Sequence, residues 1–174
     1  MEKINSIFNW LIQLLRDIIQ AFIIVWILTT FVLINANIPT GSMNNTIPTG
    51  ARVFASRLHT IFSDIERGEI IIFKYPDNTD VIYVKRAIGL PGDTIEGKNG
   101  EVYINGEILD EPYVKDKIAV DFGPYTVPED SYFMMGDNRL NSNDSRYWRN
   151  TFVTKDLVMG EALLQYYPEI KLLK

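Results

Sequence analysis

The stretch VIYVKRAIGL, residues 81–90, places two adjacent cations inside an apolar run. In a strand, Tyr83 and Lys85 would lie on one face and Val84 and Arg86 on the other. Both faces are mainly apolar, so Lys85, Arg86 or both lie among apolar side chains, and a covered β-strand with buried cations is one interpretation. An edge strand whose cations extend to solvent is the alternative. This stretch alone does not separate the two.

Further segments rich in Ile, Val, Phe and Tyr surround this strand and are separated by turn sequences. The predicted strands cover residues 52–58, 69–75, 102–104, 132–135 and 157–167. Asn-Gly pairs at 99–100 and 105–106 bracket one of them and are typical of tight hairpin turns. The fold class is therefore predicted to be mainly β, with one antiparallel β domain and a hairpin excursion over residues 94–130.

The N-terminal part of the chain has a different composition. Residues 18–51 carry no charge, and residues 21–34 are apolar apart from two threonines. A helix over residues 18–38, at ~1.5 Å per residue, would reach roughly the ~30 Å thickness of the hydrocarbon layer. We therefore predict a single transmembrane anchor at 18–38. Residues 1–17 would form an amphipathic segment at the interface, and residues 39–174 the extracytoplasmic β-rich domain.

Two other interpretations of the apolar segment are a cleavable signal peptide and a buried helix of a soluble protein. The apolar core exceeds the roughly 7–15 residues of a signal peptide, and Ile34 stands where an A-x-A-like site ending at Ala36 needs a small residue. Lys3 and Arg16 favour a cytoplasmic N-terminus. We expect a single-pass protein of the cell membrane with its β domain outside.

Composition excludes several classes of site. The net charge of -5 and the pI near 4.9 argue against a nucleic-acid partner, which requires clustered Lys and Arg. The absence of cysteine excludes a thiol nucleophile, a disulfide and a cysteine-ligated zinc. A single histidine, His59, is too few for a histidine-based metal cage. We expect no metal and no cofactor.

Two polar segments could carry chemistry. PTGSM, residues 39–43, follows the apolar segment, and its proline and glycine allow a turn that exposes the Ser42 hydroxyl. GDNRLNSNDSRYW, residues 136–148, could form a rigid loop and hold Ser142 or Ser145 near a lysine amine. Pairing within this loop is predicted for its charged residues, which are Asp137, Arg139, Asp144 and Arg146. A linker and a solvated loop are the ordinary alternatives.

Three motifs follow the apolar segment in the order PTGSM, YVKRAIGLPGD and GDNR…S.DSR. Together they resemble the signature boxes of bacterial type I signal peptidases. The resemblance implies an antiparallel β-sheet catalytic domain of that type. It also implies a membrane-bound serine endopeptidase that removes signal peptides from secretory preproteins after small residues, at Ala-x-Ala sites. The implied partners are these preproteins and the lipid bilayer.

The resemblance assigns roles to individual residues. Ser42 would be the nucleophile that forms an acyl-enzyme, and Lys85 its general base. The Thr40 hydroxyl and the Ser42 amide would hold the oxyanion, and Ser142 would orient Lys85. The site would be braced by Arg86, Asp144 and Arg146, and the substrate pockets would be shaped by Ile38, Pro39, Met43, Ile47, Tyr83 and Val84. The chain departs from the family pattern at Asn45, where proline is usual, and at Ala51, where aspartate is common.

Rival interpretations are weaker. A Ser-His-Asp triad would need His59, and the chain lacks a G-x-S-x-G elbow. Asp93 and Asp137 could form a carboxylate pair, but both follow glycine in turn-like contexts. Self-cleaving SOS repressors share the serine–lysine chemistry but carry a DNA-binding headpiece, which the apolar N-terminus does not resemble. A specialised maturation peptidase and a membrane-anchored module that binds a partner through residues 94–130 remain alternatives.

Overall fold

A long apolar helix leads into the structure. The computed structural model describes residues 2–58 and 62–173, so His59 lies outside the described residues. Helix α1, Glu2–Ile27, continues into a π-helical segment, Leu28–Val32. The stretch Asn9–Val32 is long and apolar enough to cross a membrane, and none of it is buried against the rest of the described protein. The helix therefore fits a membrane anchor.

Twelve strands follow within the described residues. They are β1 (Leu33–Asn37), β2 (Arg52–Ser56), β3 (Ile70–Tyr75), β4 (Asn78–Gly89), β5 (Thr94–Lys98), β6 (Glu101–Ile104), β7 (Glu107–Ile108), β8 (Phe122–Thr126), β9 (Ser131–Met135), β10 (Val153–Thr154), β11 (Val158–Tyr167) and β12 (Lys171–Leu172). The main sheet has the order β1-β2-β11-β3-β4-β9-β10, with β12 paired to β11, and its neighbouring strands are antiparallel. The predicted mainly β fold is confirmed, and all six predicted strands are present.

The predicted helix over residues 18–38 is wrong at its C-terminal end. Strand β1 begins directly after the π-helical segment and pairs with β2 from Leu33↔Ser56 to Asn37↔Arg52. This pairing satisfies the backbone groups of β1 and buries Ile34 in the core. Tertiary pairing therefore overrides the apolar pattern that favoured a longer helix. The helix also begins at Glu2, so the predicted amphipathic segment and the anchor form one continuous element.

A second, smaller sheet lies within the predicted hairpin excursion. Its order is β7-β6-β5-β8, again antiparallel. The two Asn-Gly turns occur as expected: Asn99 and Asn105 both have φ of 53°, and each following glycine has φ of 87°. Positive φ at both central residues matches the type I′ turns of tight hairpins.

The C-terminal half of β4 is covered on both sides. One hydrophobic cluster joins Ala87 to Phe73, Met134 and Trp148. Another joins Ile88 to the small sheet and to β9, through Ile95, Val102, Phe133 and Met135. The alternative of an exposed edge strand is therefore excluded, and the two cations of β4 lie between packed layers.

The two Asn-Gly turns provide a matched test of how the small sheet is attached. Asn105 accepts a bond from the Thr94 amide and donates one to Asp93, whereas the Asn99 side chain makes no hydrogen bond to any other described residue. Glycine tolerates the positive φ at both positions. Asn105→Gly is expected to lower the free energy of unfolding by about 1–3 kcal/mol, and Asn99→Gly to change it by less than about 0.5 kcal/mol. Denaturant unfolding of both variants checks this, and equal losses would contradict the proposed anchoring role of Asn105.

Candidate active site

The predicted serine turn forms a short, fixed loop between β1 and β2. The Ile38 amide donates to the Ala51 carbonyl at 2.9 Å, and the Gly50 amide donates to the Ile38 carbonyl at 2.7 Å. These bonds close the base of the loop. Thr40 is extended, and a single 3₁₀ turn, Gly41–Met43, follows it. Ser42 therefore lies on a constrained turn and is largely buried.

Strand β4 brings Lys85 to this turn. Lys85 pairs with Ile71 of β3 and is only 4% exposed. Its Nζ lies 2.5 Å from Ser42 Oγ, although 43 residues separate the two in the chain. The Nζ atom also lies 5.1 Å from the centroid of the Tyr83 ring. The two residues singled out from the sequence therefore form a hydrogen-bonded pair.

The surroundings of Lys85 weaken its hold on a proton. Burial lowers the pKa of Lys85 from 10.5 to about 8, because the charged amine loses hydration. The carboxylates of Asp144 and Asp137 act in the opposite direction, and Arg146 lowers the pKa further. A substantial fraction of neutral amine is therefore present near pH 8, within hydrogen-bond reach of a serine hydroxyl.

Asp137 connects the three predicted segments. Arg86, next to Lys85, donates to both of its carboxylate oxygens, from Nε at 2.8 Å and from a terminal nitrogen at 2.6 Å. Arg86 also donates to the Gly68 carbonyl. From the loop between β1 and β2 that carries Ser42, the Thr46 hydroxyl donates to the Asp137 carboxylate, and the Asn45 side-chain amide donates to the Asp137 carbonyl at 2.9 Å. The bracing role predicted for Arg86 thus has a specific partner.

The polar loop is held internally by one ion pair. Arg146 Nε donates to Asp144 at 2.7 Å, and the same carboxylate accepts the Gly136 amide at 2.9 Å. Arg139 does not pair within the loop but with Glu111 of the smaller sheet region. Of the predicted internal pairings, the one between Asp144 and Arg146 forms. Asp137 and Arg139 find partners elsewhere because β4 and the small sheet present buried charges to them.

The two serines of the loop differ in their contacts. Ser145 Oγ accepts a hydrogen bond from the Met134 amide at 2.9 Å and so binds the backbone of β9. Ser142 is buried, and its Oγ makes no hydrogen bond within residues 2–58 and 62–173. The predicted orientation of Lys85 by Ser142 is not among the contacts and stays a prediction.

A cavity of about 600 Å³ opens over the pair. Its walls come from residues 34–37 of β1, 38–42 of the serine segment and 81–85 of β4. Ile72, Asn141, Asn143 and Met159 complete the lining. The concave shape beside a hydroxyl and an amine can hold an extended chain.

Four of the six residues predicted to shape the substrate pockets line this cavity, namely Ile38, Pro39, Tyr83 and Val84. Thr40, predicted to hold the oxyanion, lines it as well. Met43 and Ile47 do not line it. Both are fully buried in the core cluster beneath the serine turn. Burial in this cluster does not by itself remove a residue from the cavity, because Ile72 and Ile38 belong to the same cluster and line it. The pocket-shaping role of Met43 and Ile47 therefore stays a prediction.

Sequence reasoning missed several residues that position the site. Thr46 contacts Asp137, and the Asn138 amide donates to the Ser42 carbonyl at 3.0 Å. Glu111 and Tyr113 contact Arg139 and Arg86 from the small sheet region. Asn138 lay within a motif already recognised, whereas no local signal marks the other three.

The rival carboxylate pair is separated by its partners. Asp93 is held by Arg67 at 2.9 Å and by the Leu90 amide at 2.7 Å, which lower its pKa against the effect of burial. Asp137 is held by Arg86. Within the described ranges, no group of three or more His, Cys, Asp or Glu side chains could hold a metal ion.

Comparison with known proteins identifies the family of the chain. The family model described as signal peptidase, peptidase S26, matches residues 11–167. A probable signal peptidase I-2 of Synechocystis sp. is 38% identical over 165 residues, which cover 92% of this chain and 74% of that protein. Signal peptidase I S of Bacillus subtilis is 36% identical over 179 residues, covering 97% and 93%. Signal peptidase I of Bacillus licheniformis is 36% identical over 177 residues, covering 96% and 92%.

The matches extend from the apolar helix through strand β11 and so include all three polar segments of the site. The chain therefore belongs to the signal peptidase family, peptidase S26, as a serine peptidase of the signal peptidase I kind.

Proposed function

We propose that this peptidase cuts its preproteins with a serine–lysine dyad formed by Ser42 and Lys85. The observation that carries the proposal is the 2.5 Å contact between Lys85 Nζ and Ser42 Oγ at the floor of the cavity. Neutral Lys85 accepts the Ser42 proton as Oγ bonds to the scissile carbonyl carbon. The resulting ammonium then protonates the leaving amine, which leaves an acyl-enzyme on Ser42. Neutral again, Lys85 takes a proton from a water molecule as the water oxygen bonds to the acyl carbon. It returns this proton to Ser42 Oγ as the bond between Oγ and the acyl carbon breaks.

The oxyanion of each tetrahedral intermediate needs hydrogen-bond donors. We assign this role to the Thr40 hydroxyl and the Ser42 amide. Thr40 lines the cavity, and the Ser42 amide lies in the first turn of the 3₁₀ segment, where amides have no partner within the helix. Loss of one such donor typically costs about 3–4 kcal/mol of transition-state stabilisation. Ser142, buried beside Gly136, is proposed to orient Lys85 when substrate is bound.

The lining of the cavity supports a preference for small residues before the cut, as in an Ala-x-Ala site. Ile38, Tyr83 and Val84 line the cavity together with Ser42. We propose that these side chains shape subsites that accept an alanine methyl and reject larger side chains by clash. No cofactor takes part in this chemistry.

We further propose that residues 39–174 form an extracytoplasmic catalytic domain and that the N-terminus is cytoplasmic. The stretch that can cross the membrane ends at Val32, and β1 connects it directly to the serine turn. The cavity therefore opens close to the membrane surface, where a preprotein still held by its own apolar segment presents its cleavage site.

Lys85→Ala tests the dyad. We expect kcat/KM for a preprotein with an Ala-x-Ala site to fall by about 10²–10⁴-fold, since no base remains next to Ser42. The matched control is Lys74→Ala, which removes an exposed lysine from the neighbouring strand β3 and should leave activity unchanged. Undiminished cleavage by a folded Lys85→Ala variant would exclude the serine–lysine mechanism.

The pH dependence of kcat/KM reports on the same base. Because only neutral Lys85 can accept the proton, the rate should fall about tenfold per pH unit below a pKa of about 8 and level off above it. A substrate without titratable groups near the cut isolates this limb. His59→Ala should leave the profile unchanged. A limb centred near pH 6.5 that disappears in this variant would identify histidine as the base instead.

A further inference from the structure

A segment of the small sheet region, residues 109–113, lies behind the candidate site and is here called the clamp. It follows β7 and is tied to β6 by the Leu109 amide, which donates to the Val102 carbonyl at 2.9 Å. The Glu111 carboxylate accepts both terminal nitrogens of Arg139, one of them at 2.7 Å. The Arg139 and Glu111 side chains are 1% and 10% exposed. This is a nearly dry, bidentate pair between the small sheet region and the polar loop.

Tyr113 makes the second contact of the clamp. Its hydroxyl donates to Glu111 at 3.0 Å, and its ring lies 3.8 Å from the guanidinium carbon of Arg86. Burial and the nearby Glu111 carboxylate raise the pKa of Tyr113, so the hydroxyl stays protonated and keeps donating. Arg86 is thus bound by Asp137 through hydrogen bonds and covered by an aromatic ring.

The contact between Glu111 and Arg139 is connected to Ser42 through a short series of hydrogen bonds. Arg139 Nε donates to the Gly136 carbonyl at 3.1 Å, which fixes the start of the polar loop. Asn138 directly precedes Arg139. Its backbone amide donates to the Ser42 carbonyl and its side chain donates to the Gly41 carbonyl, both at 3.0 Å. The clamp therefore holds the segment that holds the backbone of Ser42.

The contact between Tyr113 and Arg86 is connected to Lys85 more directly. Arg86 directly follows Lys85 in β4, so the position of its guanidinium constrains the strand at the lysine. The buried ion pair between Glu111 and Arg139 adds little net stability, because desolvation offsets the attraction, but it restricts the positions of both side chains. The clamp can therefore fix the relative positions of the polar loop and β4.

We propose that Glu111 and Tyr113 are positioning residues for the cleavage reaction, which hold Ser42 and Lys85 at hydrogen-bond distance by fixing Arg139 and Arg86. The proposal rests on the proposed dyad and gives the smaller sheet a part in catalysis. A displacement of about 1 Å between reacting groups lowers rates by up to about a hundredfold, so a loosened clamp should be measurable.

Glu111→Gln in the full-length enzyme is the first test. We expect kcat to fall roughly tenfold with KM changed by less than about twofold, since the cavity lining is untouched. The acidic limb of the pH profile should move to higher pH, because water reaching Lys85 lessens its desolvation. The charges facing that amine, Asp137, Asp144 and Arg146, are unaltered. The matched control is Glu101→Gln, which removes the charge of an exposed ion pair between β6 and Lys117 and should leave both measurements unchanged.

Tyr113 provides an independent pair of variants. Tyr113→Phe keeps the ring over Arg86 and should retain nearly all activity, whereas Tyr113→Leu should lower kcat and shift the pH profile in the same direction as Glu111→Gln. If Glu111→Gln does not fold, this pair of variants alone tests the positioning role of the clamp.

The outcomes separate the two proposals. If folded Glu111→Gln and Tyr113→Leu variants melt at a lower temperature but keep the wild-type kcat and pH profile, the clamp is only structural and the positioning role is overturned. If Lys85→Ala remains active, the dyad itself fails. A wild-type profile in the clamp variants together with an inactive Lys85→Ala variant overturns the clamp alone.

Discussion

The guanidinium of Arg86 and the carboxylate of Asp137 meet away from solvent, with side chains 1% and 0% exposed. Removing one partner from such a pair leaves an uncompensated buried charge and typically costs about 3–5 kcal/mol. The pair therefore holds β4 and the polar loop at a fixed separation. Thr46 brings the serine segment to the same carboxylate. The contact between Ser42 and Lys85 follows from this arrangement, because their segments meet at one buried anion.

Lys85 itself opposes folding at neutral pH. Its pKa is about 8 in the folded protein, against 10.5 for an ordinary lysine, so the unfolded chain binds more protons between these values. Stability therefore rises as the pH increases through that window, and below it the buried amine costs about 3 kcal/mol. Apolar packing around β4 offsets this cost. A destabilising amine retained beside a hydroxyl is typical of a functional site.

Local sequence patterns predicted the strand around Lys85 and the Asn-Gly turns, through its apolar composition and turn chemistry. The family resemblance, which spans distant segments, predicted that the three polar motifs form one site. The end of the helix was missed because Leu33 and Ile34 are as apolar as the residues before them, and only pairing with β2 distinguishes them. The partner of Arg139 was missed because Glu111 lies 28 residues away, among other acidic residues of similar context.

The pKa of the Lys85 amine is the quantity on which the account depends. It can be measured by NMR titration of the full-length enzyme carrying ¹³C- and ¹⁵N-labelled lysine in detergent micelles, with the Lys85 signal assigned by its absence in Lys85→Arg. We expect a midpoint near pH 8, well below those of the exposed lysines. A midpoint near 10.5, together with an active enzyme, would contradict the claim that a buried, neutral Lys85 activates Ser42.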